Sequence, residues 1–203
     1  MNMTLKFLIV LFALQGYSQR TSKEEILFDE EWNPISLKDF YDKIKDKKLT
    51  YKLTENDTSY LGKIFLREEL GNISPQERIA LLTYLEELTS STIDSIKTIV
   101  INFYFKPARK PNGSCIDYYT SDNRYKRYFR KNDKNIQFFI TEKGYDYKKD
   151  FVFEDKDALI RNLLFKYNFD CGNYIIIKPN GRFLRRLGEY RQFEIRKKLD
   201  INW

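Results

Sequence analysis

The stretch Lys97-Thr98-Ile99-Val100-Ile101-Asn102-Phe103-Tyr104-Phe105, running on into Lys106-Pro107-Ala108-Arg109-Lys110-Pro111-Asn112-Gly113-Ser114-Cys115, decides the fold. A β-branched apolar run ended by a proline reads as a central strand covered on both faces, because proline cannot continue a ladder. The loop after such a strand is where α/β folds place their sites.

Outward from this strand, the second half of the chain alternates. A helix is expected over 121–131, with Tyr125, Tyr128 and Phe129 on one face and the basic residues between them solvated. Asn135-Ile136-Gln137-Phe138-Phe139-Ile140 reads as a second buried strand. After a polar loop, Asp155 or Asp157 can cap a helix running to 166, with Leu159, Ile160, Leu163 and Leu164 inward. Tyr174-Ile175-Ile176-Ile177-Lys178 is a third strand, and Pro179-Asn180-Gly181 turns it into residues 182–187, since Asn-Gly supplies the positive φ of a tight hairpin. A last amphipathic helix is expected over 189–199, with Tyr190, Phe193 and Ile195 apolar. The order is β-α-β-α-β-β-α.

The first half is denser in turns. Glu25 to Phe28 suits a short strand, and residues 29–34 carry turn chemistry. Ser36 starts a helix with Phe40, Tyr41 and Ile44 buried, and 49–53 with 60–66 read as a hairpin. Ser74-Pro75-Gln76-Glu77 is the clearest start signal: a capping Ser, a first-turn Pro, and Glu three residues past the Ser. The helix it opens should bury Ile79, Leu82, Leu85 and Leu88.

At the N-terminus, Lys6 precedes an apolar run from Phe7 to Leu14 and small residues around Ser18. This reads as a secretory signal over 1–18, too short for a transmembrane anchor, so the mature chain is expected to be exported and without a membrane span. The formal charge of +7 is uneven. Residues 19–95 hold 11 Lys and Arg against 16 Asp and Glu, a net of −5, and residues 96–203 hold 24 against 13, a net of +11. Two mutually attracting units, or a basic surface with an acidic partner, would account for this. The chain has no histidine, which removes Ser/His and Cys/His catalysis and histidine-containing zinc sites.

The order of elements, and the wording Val100-Ile101-Asn102-Phe103 together with Phe165-Lys166-Tyr167-Asn168-Phe169 and Tyr174 to Gly181, resembles the thioredoxin-like superfamily in its secreted form. The resemblance covers about 96–203 and implies an α/β fold: a mixed central sheet flanked by helices, carrying an N-terminal α+β extension over 19–95. Thioredoxin chemistry needs two cysteines two residues apart at a helix start. Here Cys115 stands alone after a long loop, and Asn173 occupies the place of the family's cis-proline.

In a thioredoxin fold the loops carrying Cys115 and Cys171 adjoin at one end of the sheet. Three states follow: a structural disulfide, a redox-active pair with Cys115 as nucleophile and Cys171 resolving, or two free thiols. The leading expectation is an exported thioredoxin-like protein without a dithiol site, serving as a binding or structural module for a protein partner. Its working surface would include Lys106, Arg109, Lys110, Asn173 and Tyr174. The enzyme alternative is a thiol-disulfide oxidoreductase. A third class is a basic binder of anionic polymers through 124–131 and 182–198, although export argues against nucleic acid. No cofactor or metal is expected; the acidic pairs Glu68-Glu69, Glu86-Glu87 and Asp155 with Asp157 read as solvated or helix-complementing.

Overall fold

The computed structural model describes residues 23–107, 115–201 and 203. The proposed signal segment 1–18 lies outside them. Among the described residues no helix is long and apolar enough to cross a membrane. The described residues form a mixed α/β structure with two sheets.

The smaller sheet is built from β1 (Glu24–Phe28), β2 (Leu49–Glu55) and β3 (Ser59–Leu66). β3 lies between the others, antiparallel to β2 and parallel to β1. Helix α1 (Leu37–Lys43) starts where Ser36 accepts the Asp39 amide, and it drops Phe40 onto Leu27, Leu49 and Ile64. Tyr41, expected inward, is exposed, because a seven-residue helix over so small a sheet buries little more than one side chain.

The larger sheet has six strands: β4 (Glu68–Asn72), β5 (Thr98–Tyr104), β6 (Asn135–Glu142), β7 (Val152–Asp155), β8 (Asn173–Ile177) and β9 (Arg182–Arg186). Their order is β4-β9-β8-β5-β6-β7. β5, β6 and β7 run parallel, whereas β8 opposes β5, β9 opposes β8, and β4 opposes β9. β5 is central, as its apolarity requires. The hairpin between β8 and β9 turns at Gly181, whose φ is 86°; a Cβ there would lie 2.5 Å from the Ile73 carbonyl, and Ile73 donates its amide to the Gly181 carbonyl.

Helices cover both faces. On one lie α2 (Pro75–Thr89) and α5 (Leu159–Leu164); on the other lie α3 (Cys115–Ser121), α4 (Asn123–Arg130) and α6 (Gln192–Leu199). α2 opens with the expected capping box: the Glu77 amide donates to Ser74 Oγ, and the Ser74 amide to Glu77 Oε2. Its buried face is Arg78, Leu81, Leu82, Tyr84 and Leu85, so the helix is rotated from the expected stripe and Ile79 is exposed. Arg78 turns the helix, because its guanidinium reaches the carbonyls of Lys178, Ser95 and Lys97.

Three further expectations are corrected. β4 and β7 are strands where solvated acids and a polar loop were expected. The helix expected over 121–131 is α4, capped by Asp122, which accepts the Arg124 and Tyr125 amides, and α3 precedes it where Cys115 was expected in a loop. Asp155 caps α5 from the end of β7, accepting the amides of Ile160 and Arg161, while Tyr84 on α2 donates to it at 2.9 Å. Residues 68–95 add β4 and α2 to the larger sheet and its core, while β1, β2, β3 and Phe40 make up the smaller one.

Candidate functional site

The end of the sheet to which β5 delivers the chain holds the two cysteines. Cys115 is the first residue of α3 rather than a loop residue, and Cys171 stands two residues before β8. They form a disulfide, with Cα atoms 5.1 Å apart across 56 positions of sequence. Position 118, where a second helix cysteine would sit in a dithiol motif, is Tyr118. The chain contains two cysteines in all, so this bond uses both.

The backbone is held in unusual conformations around the bond. Cys171 has φ 60° and Gly172 φ 105°, so two consecutive residues are left-handed. At Gly172 a side chain would meet Tyr119 at 3.0 Å and Tyr190 at 3.1 Å. Those rings stack with centroids 4.4 Å apart, and each is bonded to the other's segment: Tyr119 Oη donates to the Tyr190 carbonyl and accepts the Tyr190 amide, both at 3.1 Å.

Below the disulfide lies a buried polar cluster centred on Asn102, the one polar residue in the apolar run of β5. Asn102 Nδ2 donates to the Phe138 carbonyl and to Tyr125 Oη, each at 3.1 Å, and Tyr190 Oη donates to Asn102 Oδ1 at 2.8 Å. Since Tyr190 spends its single proton there, Tyr104, 3.2 Å away, is the donor in the Tyr104–Tyr190 bond. Burial, which disfavours the phenolate, pushes the hydroxyls of Tyr104, Tyr125, Tyr174 and Tyr190 well above the ordinary tyrosine value, and Tyr119 upward as well.

The expected binding residues separate. Lys106 is exposed, and its amide donates to Glu142 Oε2 at 3.0 Å. Arg109 and Lys110 lie outside the described residues. Asn173 and Tyr174 are fully buried, which corrects their expected place on a working surface. Asn173 is a strut: Nδ2 donates to the Phe169 carbonyl at 3.0 Å, and Oδ1 accepts the Gly188 amide at 3.0 Å.

Three members of the basic strip are paired with acids. On β9, Arg185 pairs with Glu69 and Arg186 with Glu68, directly across from them on β4, and Lys198 of α6 also reaches Glu68. Acidic first half and basic second half therefore meet within one sheet. Hydrogen bonds from Lys198 and Arg186 outweigh the desolvation of Glu68 and hold its carboxyl below the usual range. Among the described residues, no three His, Cys, Asp or Glu side chains are grouped to hold a metal ion.

Sequence reasoning found the cysteines and missed the tyrosine cluster. The signal available was Asn102 itself, a polar residue inside a strand whose apolarity demanded that any amide there be bonded. Comparison with protein-family models, with curated proteins and with solved structures finds no match.

Proposed function

We propose that residues 96–203 form a degenerate thioredoxin-like domain whose former redox end is a disulfide-locked structural or binding module, and that the chain is exported. The reading is supported by the order β6-β5-β8-β9, with β5 and β6 parallel and β8 and β9 antiparallel, and by Cys115 opening the helix that follows β5. The observation that carries it is the bond between Cys115 and Cys171, two cysteines from different segments, with tyrosine at position 118.

A dithiol motif reacts by exchange within one helix turn, so its bond opens without disturbing the fold. A bond closing a loop of 56 positions instead restricts the unfolded chain, worth about 4 kcal/mol on the chain-entropy model. An oxidising compartment suits such a link.

Thiol titration of the denatured protein, before and after reductant, followed by an insulin-reduction assay on the native protein, tests the proposal. No free thiol before reduction, two after it, and no turnover are expected. The second reading, a thiol-disulfide oxidoreductase, is favoured by Cys115 at the first position of α3, where amides stabilise a thiolate. Turnover that disappears in Cys115→Ser would establish that reading in place of the first.

A further inference from the structure

The small sheet and the α5–β8 connection border a pocket of about 250 Å³. Its walls come from the turn before α1, from β2 and β3, and from residues 161–168, so it joins the two units of the fold. Three aromatic residues line it: Trp32, Phe65 and Tyr167, with Trp32 half exposed and Phe65 4.6 Å from the Tyr167 ring. Lys52, Lys63, Arg161 and Lys166 also line it, and no carboxylate does.

Lys63 is the unusual member. It is only 4 % exposed, yet no carboxylate oxygen lies within 4.0 Å of its ammonium among the described residues. Its contacts are the Asp29 carbonyl, which accepts one of its three protons, and the rings of Trp32 at 4.7 Å and Phe65 at 5.3 Å. The acids acting on it from farther off are Asp29, Glu30 and Glu31; the Asp29 carboxylate accepts the amides of Glu31 and Asn33 and the Asn33 side chain, and Glu30 pairs with Lys43 at 2.9 Å. Buried ammonium groups ordinarily carry a counter-ion, because leaving water is costly without one. Lys63, which no carboxylate contacts among the described residues, lies on a wall of the pocket.

Two further observations bear on what would fill it. Asn168, also a lining residue, has a buried side-chain oxygen with no hydrogen-bond partner among the described residues, although its backbone carbonyl is taken by Lys52 at 2.7 Å. An acceptor in that state calls for a hydroxyl or N–H donor. Trp32 has φ 70°, which a bulky side chain rarely adopts, and it is half exposed on the pocket wall.

We infer that this pocket binds an acidic sugar, its carboxylate serving as the counter-ion of Lys63 and Lys52, its ring lying on the uncovered aromatic surface, and a hydroxyl donating to Asn168. An aryl carboxylate would meet the rings and the cations but would bring no donor. A neutral sugar would leave Lys63 unpaired. The sugar can be free or the end of an acidic polysaccharide, since the pocket opens to solvent beside Trp32.

Calorimetric titration of the whole protein tests this with glucuronate, trigalacturonate, glucose and benzoate, using the wild type, Lys63→Met and Lys52→Gln. Binding of glucuronate identifies a free sugar acid and binding of trigalacturonate alone a polymer end; either supports the inference. Affinity should fall roughly tenfold or more in both variants. Lys63→Met should also melt no lower than the wild type, because it removes an unpaired buried charge at similar volume; Lys52→Gln keeps the test open if Lys63→Met does not fold. No heat with either acid, equal binding of glucose or benzoate, or unchanged affinity in the variants would overturn it.

Discussion

The two faces of the larger sheet are made from the same strands and differ in kind. On β5, Ile99, Ile101 and Phe103 point to one side, where α2 and α5 contribute Leu81, Leu85, Ile160 and Leu164 to a core that is almost wholly hydrocarbon. Val100 and Tyr104 point to the other side and meet Tyr119, Tyr125, Tyr174 and Tyr190, with Asn102 between them. The first face is stabilised by non-directional burial, which tolerates rearrangement. The second depends on hydroxyl bonds in a medium where an unpaired one is costly. The disulfide and its left-handed turn sit over the second face, where directional contacts hold the backbone in place.

Alkaline pH should break this comparison most strongly. For a buried tyrosine with a raised value, the folded chain keeps the proton to higher pH than the unfolded chain does. Its contribution to stability is therefore complete below about pH 10 and declines as pH rises above it. Tyr104, Tyr119, Tyr125, Tyr174 and Tyr190 all shift this way. While the folded chain holds a proton that the unfolded chain has lost, each such group takes about 1.4 kcal/mol per pH unit from stability, and several acting together weigh heavily against an ordinary folding free energy of about 5–15 kcal/mol. The buried tyrosines' share of the tyrosinate absorbance should rise in a single cooperative step coincident with loss of far-ultraviolet circular dichroism. Gradual rise of that share while the circular dichroism is unchanged would show that the face is open to water.

Substitution separates the faces next. Phe103→Ala, on the hydrocarbon side and stacked on Phe165 at 4.8 Å, should cost about 4 kcal/mol by leaving a cavity. Asn102→Ala should cost about 3 kcal/mol although it removes far less volume, because it strands the Phe138 carbonyl and the hydroxyls of Tyr125 and Tyr190. Denaturant melts of both variants check the pair. A cost below 1 kcal/mol for Asn102→Ala would mean that water replaces the amide.

How much of this was legible in the sequence depends on the range of the interaction. The β5 run, the Asn-Gly hairpin and the Ser74 capping box are local signals, each satisfied within a few residues, and the structure carries all three. β4 and β7 were not legible, because Glu68-Glu69-Leu70-Gly71-Asn72 is an edge strand selected by Arg185 and Arg186 across from it, more than a hundred positions away. The cysteines could be singled out by type. The Lys63 pocket could not, since its walls come from four segments and its defining property is a missing carboxylate, which no window of sequence displays.

The smallest effect has the opposite sign. Tyr174 belongs to the polar face and is fully buried, yet its hydroxyl has no hydrogen-bond partner among the described residues. Its neighbours Tyr125 and Tyr190 are both bonded to Asn102. A buried hydroxyl without a partner forfeits its hydration and gains nothing in exchange, while the ring still packs edge-on against Tyr190 at 4.9 Å. Tyr174→Phe keeps the ring and removes the cost, so it should stabilise by about 1 kcal/mol, whereas Tyr125→Phe should destabilise by a similar amount. Paired thermal melts give the two signs directly. If both variants destabilise, Tyr174 is bonded through an internal water and the polar network extends from Asn102 to the β8–β9 edge; opposite signs confine it to Asn102 and the tyrosines that reach it.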